Sequence, residues 1–368
     1  MNYYPELSKI IKGALHGDSK AVIAYAQSII KKLETEGETL AANGLTKLLK
    51  NVNSKNIISQ STFSRPVPVE KDNRFSLADK SNPVLEEEAI FLSQHDEDTV
   101  DSFVSYIKKK AQLELIGIPI NPTLLLHGNP GTGKSKLARN IAAKLELPLI
   151  TARADALISS YLGSTSKNIR SLLEYAQSEP CVLFLDEFDS IAKARDDRNE
   201  IGELKRVVVS LLQNIDNLED TILIAATNHV HLLDPAIGRR FHYKIELLPP
   251  EMTERKKIFL SLLRKFPFED QEIDSLVSFS EGMTGAEIEM ATYDYLRHSI
   301  INELEVNSTN LLKNLLKVRF TWLNFSPDNK AENIRRLRDI NSNIYSGKVL
   351  SRLWGISPSY ISKIIKEN

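Results

Sequence analysis

Apolar positions recur along this chain with different periods, and each period predicts a different architecture. From residue 1 to about 55 the spacing is helical. Leu7, Ile10, Ile11 and Leu15 form one stripe. Val22, Ile23, Tyr25, Ala26, Ile29, Ile30 and Leu33 form a second, and Leu40, Leu45, Leu48 and Leu49 a third. Asp18 and Thr39 stand between them as caps. The pattern predicts a small all-helical N-terminal domain over 1–55, which either packs on its own or receives a partner. Residues 56–84 sustain no period and carry Pro66, Pro68, Asn73, Asn82 and Pro83, so they read as a linker. Helical spacing resumes with Phe103, Ile107 and Leu113.

The period then changes. Short apolar runs alternate with helical stretches, at Leu124–Leu126, Leu149–Thr151, Val182–Leu185, Ile222–Ala226 and Tyr243–Leu247. Short apolar runs alternating with helical segments are the signature of a parallel sheet covered on both faces. An α/β core is therefore expected over 85–248. Ile258, Leu262 and Leu263, then Ile273, Leu276, Val277 and Phe279, return to helical spacing and predict a helical lid over 249–322. A C-terminal helical region is expected over 323–368.

Within the alternating stretch, Gly128-Asn129-Pro130-Gly131-Thr132-Gly133-Lys134-Ser135 fits the phosphate-loop pattern at every fixed position. The glycines keep side chains away so that backbone N–H groups converge on phosphate oxygens. Lys134 brings a flexible cation to the outer phosphates, and Ser135 a hydroxyl to a magnesium ion. The run Thr123–Leu126 before the loop and the amphipathic stretch after it supply the strand–loop–helix context that the motif needs.

Val182-Leu183-Phe184-Leu185 ends in Asp186 and Glu187. At the carboxyl end of a parallel strand two acids face the ligand crevice. Asp186 is placed to hold magnesium, Glu187 to polarise a water attacking the outer phosphate. Ile222–Thr227 ends in Asn228, a candidate for orienting that water. Arg239 and Arg240 follow Asp234-Pro235-Ala236-Ile237-Gly238. Paired arginines read either as partners of surface carboxylates or as a finger reaching a neighbouring subunit's nucleotide.

This ordered set resembles the AAA+ superfamily, AAA type, over residues 120 to about 295. The resemblance implies a P-loop NTPase parallel-sheet core with a helical lid, ATP and Mg2+ in the site, and a homo-oligomer, usually a hexameric ring with nucleotide between subunits. It carries Lys134 and Ser135 to the first motif, Asp186 and Glu187 to the second, Asn228 to a sensor, and Arg239 and Arg240 to the finger region. Glu281-Gly282-Met283-Thr284-Gly285-Ala286-Glu287 resembles the lid stretch that brings a Gly-Ala pair, Gly285 and Ala286, to the nucleotide. Ser159–Thr165 resembles the pore loop, with Tyr161, Leu162 and Gly163 as its aromatic-hydrophobic-glycine triplet. By spacing alone Tyr161 reads equally as a core tyrosine at a helix end. Two departures stand out. Asn129 occupies a position where many relatives carry proline, and the adenine-side motif has only Gly117-Ile118 as a candidate.

Val349–Ile364 resembles a helix-turn-helix. Leu350, Leu353 and Trp354 end one helix, Gly355 turns, Ser357 caps the next and Pro358 opens it. Ile361, Ile364 and Ile365 point inward, leaving Ser359, Tyr360, Ser362, Lys363 and Lys366 outside. Arg335, Arg336, Arg338, Lys348 and Arg352 lie nearby. An ordinary helical hairpin fits the same pattern.

Composition narrows the remaining choices. The chain has 368 residues, enough for two or three domains, and is 42% hydrophobic. A net charge of −1 gives no global field for nucleic acid. One cysteine, Cys181, excludes an internal disulfide and reads as buried filler. No apolar run reaches membrane-spanning length, so no membrane partner and a cytoplasmic location are expected. The expected function is ATP hydrolysis driving remodelling, unfolding or translocation of a protein substrate. A separate effector such as a protease, in a setting such as antiphage defence, is the further expectation. The alternative is a DNA-handling or regulatory ATPase using residues 349–368, and a nucleotide-dependent assembly switch is a third reading.

Overall fold

The structure is a computed structural model that describes residues 6–7, 9–11, 19–35, 37–39, 41–46, 67–69, 76–118, 121–157, 162–192, 211, 215, 218, 221–326 and 328–366. The chain forms two compact units, Met1–Val67 with Lys108–Ile120, and Pro68–Ile107 with Asn121–Asn368. In the first, helix α1 (Ser19–Thr35) buries Ile29, Ile30 and Leu33 with Ala42, and Ile10, Ala41 and Leu45 pack alongside.

The second unit is built on a six-stranded sheet. Its strands are β1 (Ala78–Ser81), β2 (Thr123–His127), β3 (Leu149–Ala152), β4 (Val182–Leu185), β5 (Ile222–Thr227) and β6 (Tyr243–Glu246), in the order β1-β3-β4-β5-β2-β6. β2 to β6 are parallel; the apolar runs of β2 to β5 predict this, whereas β6 alternates, with Lys244 and Glu246 exposed. β1 is antiparallel to β3 and falls within the stretch read as linker. Its sequence, Ala-Asp-Lys-Ser, has no apolar alternation; backbone pairing from Ala78↔Ala152 to Ser81↔Leu149 makes it a strand. At this edge Lys80 pairs with Glu179 at 2.7 Å, which suits a position with one open side.

Alternate strand residues face opposite sides. Leu124, Leu126, Val182, Phe184, Ile222 and Ile224 pack with Val100 and Phe103 of α2 (Gln94–Lys108) and with Leu137 and Ile141 of α3 (Lys134–Leu145). Leu125, Leu183 and Leu223, on the other face, are buried too. Parallel strands thus bring the residues that follow β2, β4 and β5 to one edge, where β2 leaves for β3 across two intervening strands. That is the crevice in which open α/β sheets bind ligands.

Helix α4 (Leu162–Ala176) lies between β3 and β4 in the chain, and seven helices follow the sheet: α5 (Met252–Leu263), α6 (Asp270–Phe279), α7 (Gly285–Ile301), α8 (Ser308–Arg319), α9 (Lys330–Ile340), α10 (Gly347–Trp354) and α11 (Pro358–Lys366). They share one core, from Phe259 and Ile288 through Leu315 and Leu337 to Leu353 and Ile364. Tyr345 is fully buried in it, with ring contacts to Phe279 at 5.5 Å and Phe320 at 6.4 Å. The core therefore runs without a break across residue 322, where the sequence pattern placed a boundary. Among the described residues no helix is long and apolar enough to cross a membrane.

Candidate active site

β2 delivers the chain to Gly128, whose φ of 142° and surroundings exclude any side chain: a Cβ there would lie 2.1 Å from the Leu247 carbonyl oxygen. Gly131 (φ 80°) is equally confined, because a Cβ would meet Thr284 Oγ1 at 2.9 Å and Ala286 Cβ at 3.2 Å. Pro130, Gly131, Thr132, Gly133, Lys134 and Ser135 line a cleft of about 1280 Å3 together with Asp186, Glu187 and Asn228. Asn129 contributes its carbonyl, which accepts from Thr132 Oγ1 at 2.9 Å.

Lys134 is the first residue of α3, and its Nζ donates to Gly128 O (2.8 Å) and Asn129 O (2.9 Å). Burial lowers its pKa, while Asp186 and Asp189 work against that shift. Its ammonium thus rests on the loop carbonyls beside two carboxylates. Ser135 Oγ donates to Asp186 Oδ2 at 2.7 Å. Among the described residues no group of three or more His, Cys, Asp and Glu could hold a metal. A lone hydroxyl and carboxylate at a phosphate cradle nevertheless fit magnesium, which takes few protein oxygens and completes its shell with water and phosphate.

Glu187 has φ 49°, a left-handed conformation uncommon for a non-glycine residue, and its N–H bonds to Asp186 Oδ1 at 2.9 Å. Two ties hold this turn to β5. Phe188 N–H donates to Ala226 O at 2.8 Å, and Thr227 Oγ1 donates to Asp189 Oδ1 at 2.6 Å. The same Thr227 hydroxyl accepts from His229 N–H at 2.9 Å. Asn228, half-buried, sits between these anchors and faces the cleft.

The lid meets the loop directly. α7 begins at Gly285 with Thr284 as N-cap, and Thr284 and Glu287 satisfy each other's backbone N–H groups. The Ala286 N–H is left to donate to Gly131 O at 3.1 Å. Lys136 pairs with Glu289 at 2.8 Å across the same junction.

The arginines lie at the other end of the sheet. Thr123, the first residue of β2, donates through Oγ1 to Arg240 O at 2.8 Å and accepts from His242 N–H at 3.0 Å. Gly128 follows β2's last residue, so the length of that strand, roughly 13 Å, separates the two ends. Neither arginine lines the cleft of its own chain. Arg239 is exposed, whereas Arg240 is half-buried and donates to Ala236 O at 2.9 Å.

Tyr161 lies outside the described residues, and Leu162 and Gly163 are described only as the backbone that opens α4. Gly117-Ile118 falls in the first unit. The cleft is lined instead by Ile90, Phe91 and Leu92, with Leu248, Ile258 and Leu262 also contributing apolar surface. This segment is fastened to α3, since Arg139 Nε donates to Glu88 Oε2 and Asn140 Nδ2 to Glu88 O, both at 2.9 Å. The sequence signal for it was a single apolar triplet without a period. Thr227 and Asp189 were missed because a threonine ending a strand and an acid opening a helix are common in both roles.

Residues 124–248 match the family model for the ATPase family associated with various cellular activities (AAA). The chain is 32% identical over 289 residues to an uncharacterized AAA family ATPase, y4kL, of Sinorhizobium fredii, covering 78% of this chain and 87% of that protein. It is 33% identical over 240 residues to the proteasome-activating nucleotidase of Sulfurisphaera tokodaii, covering 62% of this chain and 60% of that one. It is 32% identical over 216 residues to the cell division cycle protein 48 homolog of Archaeoglobus fulgidus, covering 56% of this chain and 29% of that one. The matched part thus spans less than two thirds of the last two proteins.

Proposed function

The chain belongs to the AAA family of ATPases and hydrolyses ATP, and from that premise we propose that it works as a cytoplasmic homohexameric ring that remodels, unfolds or translocates a protein substrate. The observation that carries this reading is the position of Arg239: exposed, at the opposite end of β2 from the cleft of its own chain. An arginine there serves a nucleotide only when a second copy brings its own cleft to it.

In this reading the loop 128–135 cradles the phosphates, with Lys134 leaving Gly128 O and Asn129 O to meet the outer ones. Ser135 and Asp186 would hold Mg2+, which would neutralise phosphate charge. Glu187 accepts a proton from the attacking water as the bond to the outer phosphate breaks, and Asn228 orients that water. Arg239 of the neighbouring subunit offsets the charge that builds in the transition state. Gly285 and Ala286 bring the lid to the nucleotide, and Ile90, Phe91 and Leu92 offer an apolar wall to the base. Tyr161, Leu162 and Gly163 are the proposed grip on the substrate. The relatives named for proteasome activation and proteasome regulation support a protein substrate and a separate protease as effector.

Two preparations test this. Glu187→Gln should bind ATP, lose turnover by about 10²-fold or more, and retain substrate proteins that wild type releases; normal turnover would remove Glu187 from the mechanism. Lys134→Ala and Arg239→Ala should each be inactive alone and regain activity when mixed. If mixing restores nothing, the site is not shared between subunits.

A further inference from the structure

The threading reading leaves the last three helices without a task, and they carry a pattern of their own. α10 and α11 are joined by Gly355, Ile356 and Ser357, with Gly355 at φ 65° and ψ 34° closing α10. A short Gly-containing turn of this kind sets two helices at the angle of a helix-turn-helix. α9 completes a three-helix arrangement: Arg335 Nε donates to Ile364 O at 3.0 Å, and Ile334, Leu337, Leu350, Leu353, Ile361 and Ile364 are buried together.

Charge separates this region from the rest. Residues 330–366 hold eight Lys and Arg against two acids, a net +6, in a chain whose total is −1. No acid lies between Asp339 and Lys366. Several of these cations are also held within the protein. Arg352 Nη2 donates to Ser308 Oγ at 2.7 Å, and Arg338 Nη1 to Ser342 O at 2.7 Å. Arg336 pairs with Glu332 at 2.6 Å. Like Arg336 and Arg352, Lys348 in the first turn of α10 and Lys363 and Lys366 on α11 are exposed. On α11 they share the outer face with Ser359, Tyr360 and Ser362, Tyr360 being 51% exposed. That face is polar and cationic, with hydroxyls and one aromatic. It lacks the apolar stripe that docking into a protein groove requires.

We propose that α9–α11 form a duplex DNA-binding module in which α11 enters the major groove and Lys348 anchors α10 to the phosphate backbone. The outward Ser359, Tyr360 and Lys363 lie in the first two turns of α11, where a recognition helix meets base edges. Lys366 extends the contact toward phosphate. The net positive charge of this region supplies the salt-dependent attraction, and the polar face supplies the donors and acceptors. This module stands apart from the threading reading, since neither the cleft nor the trans arginine enters it.

The test is fluorescence anisotropy of the full chain with a labelled 30-base-pair duplex of arbitrary sequence, titrated from 50 to 200 mM salt. Non-specific binding should reach Kd values of about 10⁻⁴ to 10⁻⁶ M near physiological salt and tighten as salt falls. The triple variant Lys348→Ala, Lys363→Ala, Lys366→Ala lies on exposed positions and should hydrolyse ATP like wild type. Its log–log salt slope should be shallower by roughly 2, since Lys348 and Lys366 each give up a phosphate contact that contributes about 0.9. Binding by wild type with the reduced slope in the variant supports the proposal. An absence of duplex binding at 50 mM salt, an unchanged slope in the variant, or binding confined to single strands or RNA overturns it.

Discussion

Replacing Thr227 by valine removes one hydroxyl from a side chain that never touches the cleft, yet it should slow catalysis. The hydroxyl donates to Asp189 Oδ1 at 2.6 Å and accepts the His229 N–H at 2.9 Å, and the residue is 1% exposed. Valine keeps the shape, so the packing of β5 is preserved. A hydrogen bond to a charged group is worth about 1.5–3 kcal/mol and one to a neutral N–H about 0.5–1.5. His229 is exposed, so water can replace its lost partner, which leaves the Asp189 bond as the main loss. That bond and the Phe188–Ala226 tie hold the turn in which Glu187 keeps its left-handed φ of 49°. If the whole of the Asp189 bond serves to position Glu187 and Asn228, kcat falls by about tenfold to a hundredfold, at about 1.4 kcal/mol per decade. Steady-state ATP hydrolysis measures it. The Thr227 change should lower kcat while KM for ATP stays within about threefold, because the phosphate cradle is untouched. A kcat within twofold of wild type would refute the reasoning, as would a rise in KM with kcat unchanged.

Other substitutions probe the packing around the site. Gly131→Ala places a Cβ 2.9 Å from Thr284 Oγ1 in a left-handed backbone, so it should raise KM for ATP by about tenfold or more; an unchanged KM would show that the lid contact is dispensable. Tyr345→Ala empties a fully buried ring site and should cost about 3–5 kcal/mol, read as a lower midpoint in thermal unfolding. Burial pushes the Cys181 thiol up to about 11, so at pH 8 the reactive thiolate is only about one part in a thousand. Iodoacetamide should leave Cys181 unmodified in the native protein and label it after denaturation, with labelling rising only as pH approaches 11; ready labelling at pH 8 would contradict its burial.

β2, β4 and β5 were legible because both faces of each are buried, which turns a strand into an unbroken apolar run such as Leu183-Phe184-Leu185. β1 was not legible. Asp79 and Ser81 face outward at the sheet's edge, and backbone pairing alone makes a strand of Ala-Asp-Lys-Ser. The loop 128–135 and the acids 186–187 came to one edge of the sheet, because parallel strands fix which end of each run meets the crevice. Sequence could not choose between Arg239 and Arg240. Our proposal of Arg239 rests on a hydrogen bond between residues 117 positions apart, Thr123 Oγ1 to Arg240 O, and on Arg240 turning back to Ala236 O. Helical periodicity likewise marked α5, α6 and the α10–α11 pair, but not what each packs against. One ring, Tyr345, packs against Phe279 and Phe320 and joins stretches that composition had separated.

That joining carries a thermodynamic consequence for the duplex module. α7 donates Ala286 N–H to the phosphate loop at Gly131 O, and α7 shares its core with α9, α10 and α11. Arg352 of α10 is bonded in addition to Thr309 Oγ1 at 2.9 Å and to Ser308 Oγ on α8. A nucleotide that shifts α7 relative to the loop therefore displaces α11 with it, because a packed core moves as a body. Where bound duplex also touches a second part of the assembly, lid position is biased by ligands at two separate sites, and the coupling between them must be reciprocal. If ATP changes duplex affinity by a given factor, saturating duplex must change ATP affinity by the same factor, on the order of 5- to 150-fold for a coupling of about 1–3 kcal/mol. Glu187→Gln suits the measurement, since it should bind ATP without consuming it. Duplex affinity is read by anisotropy with and without ATP, and ATP affinity by calorimetry with and without duplex. Equal and non-unit factors establish that the C-terminal helices travel with the lid. A factor of one in both directions, with duplex still bound, would mean that the duplex binds every lid position equally and is held by the C-terminal helices alone.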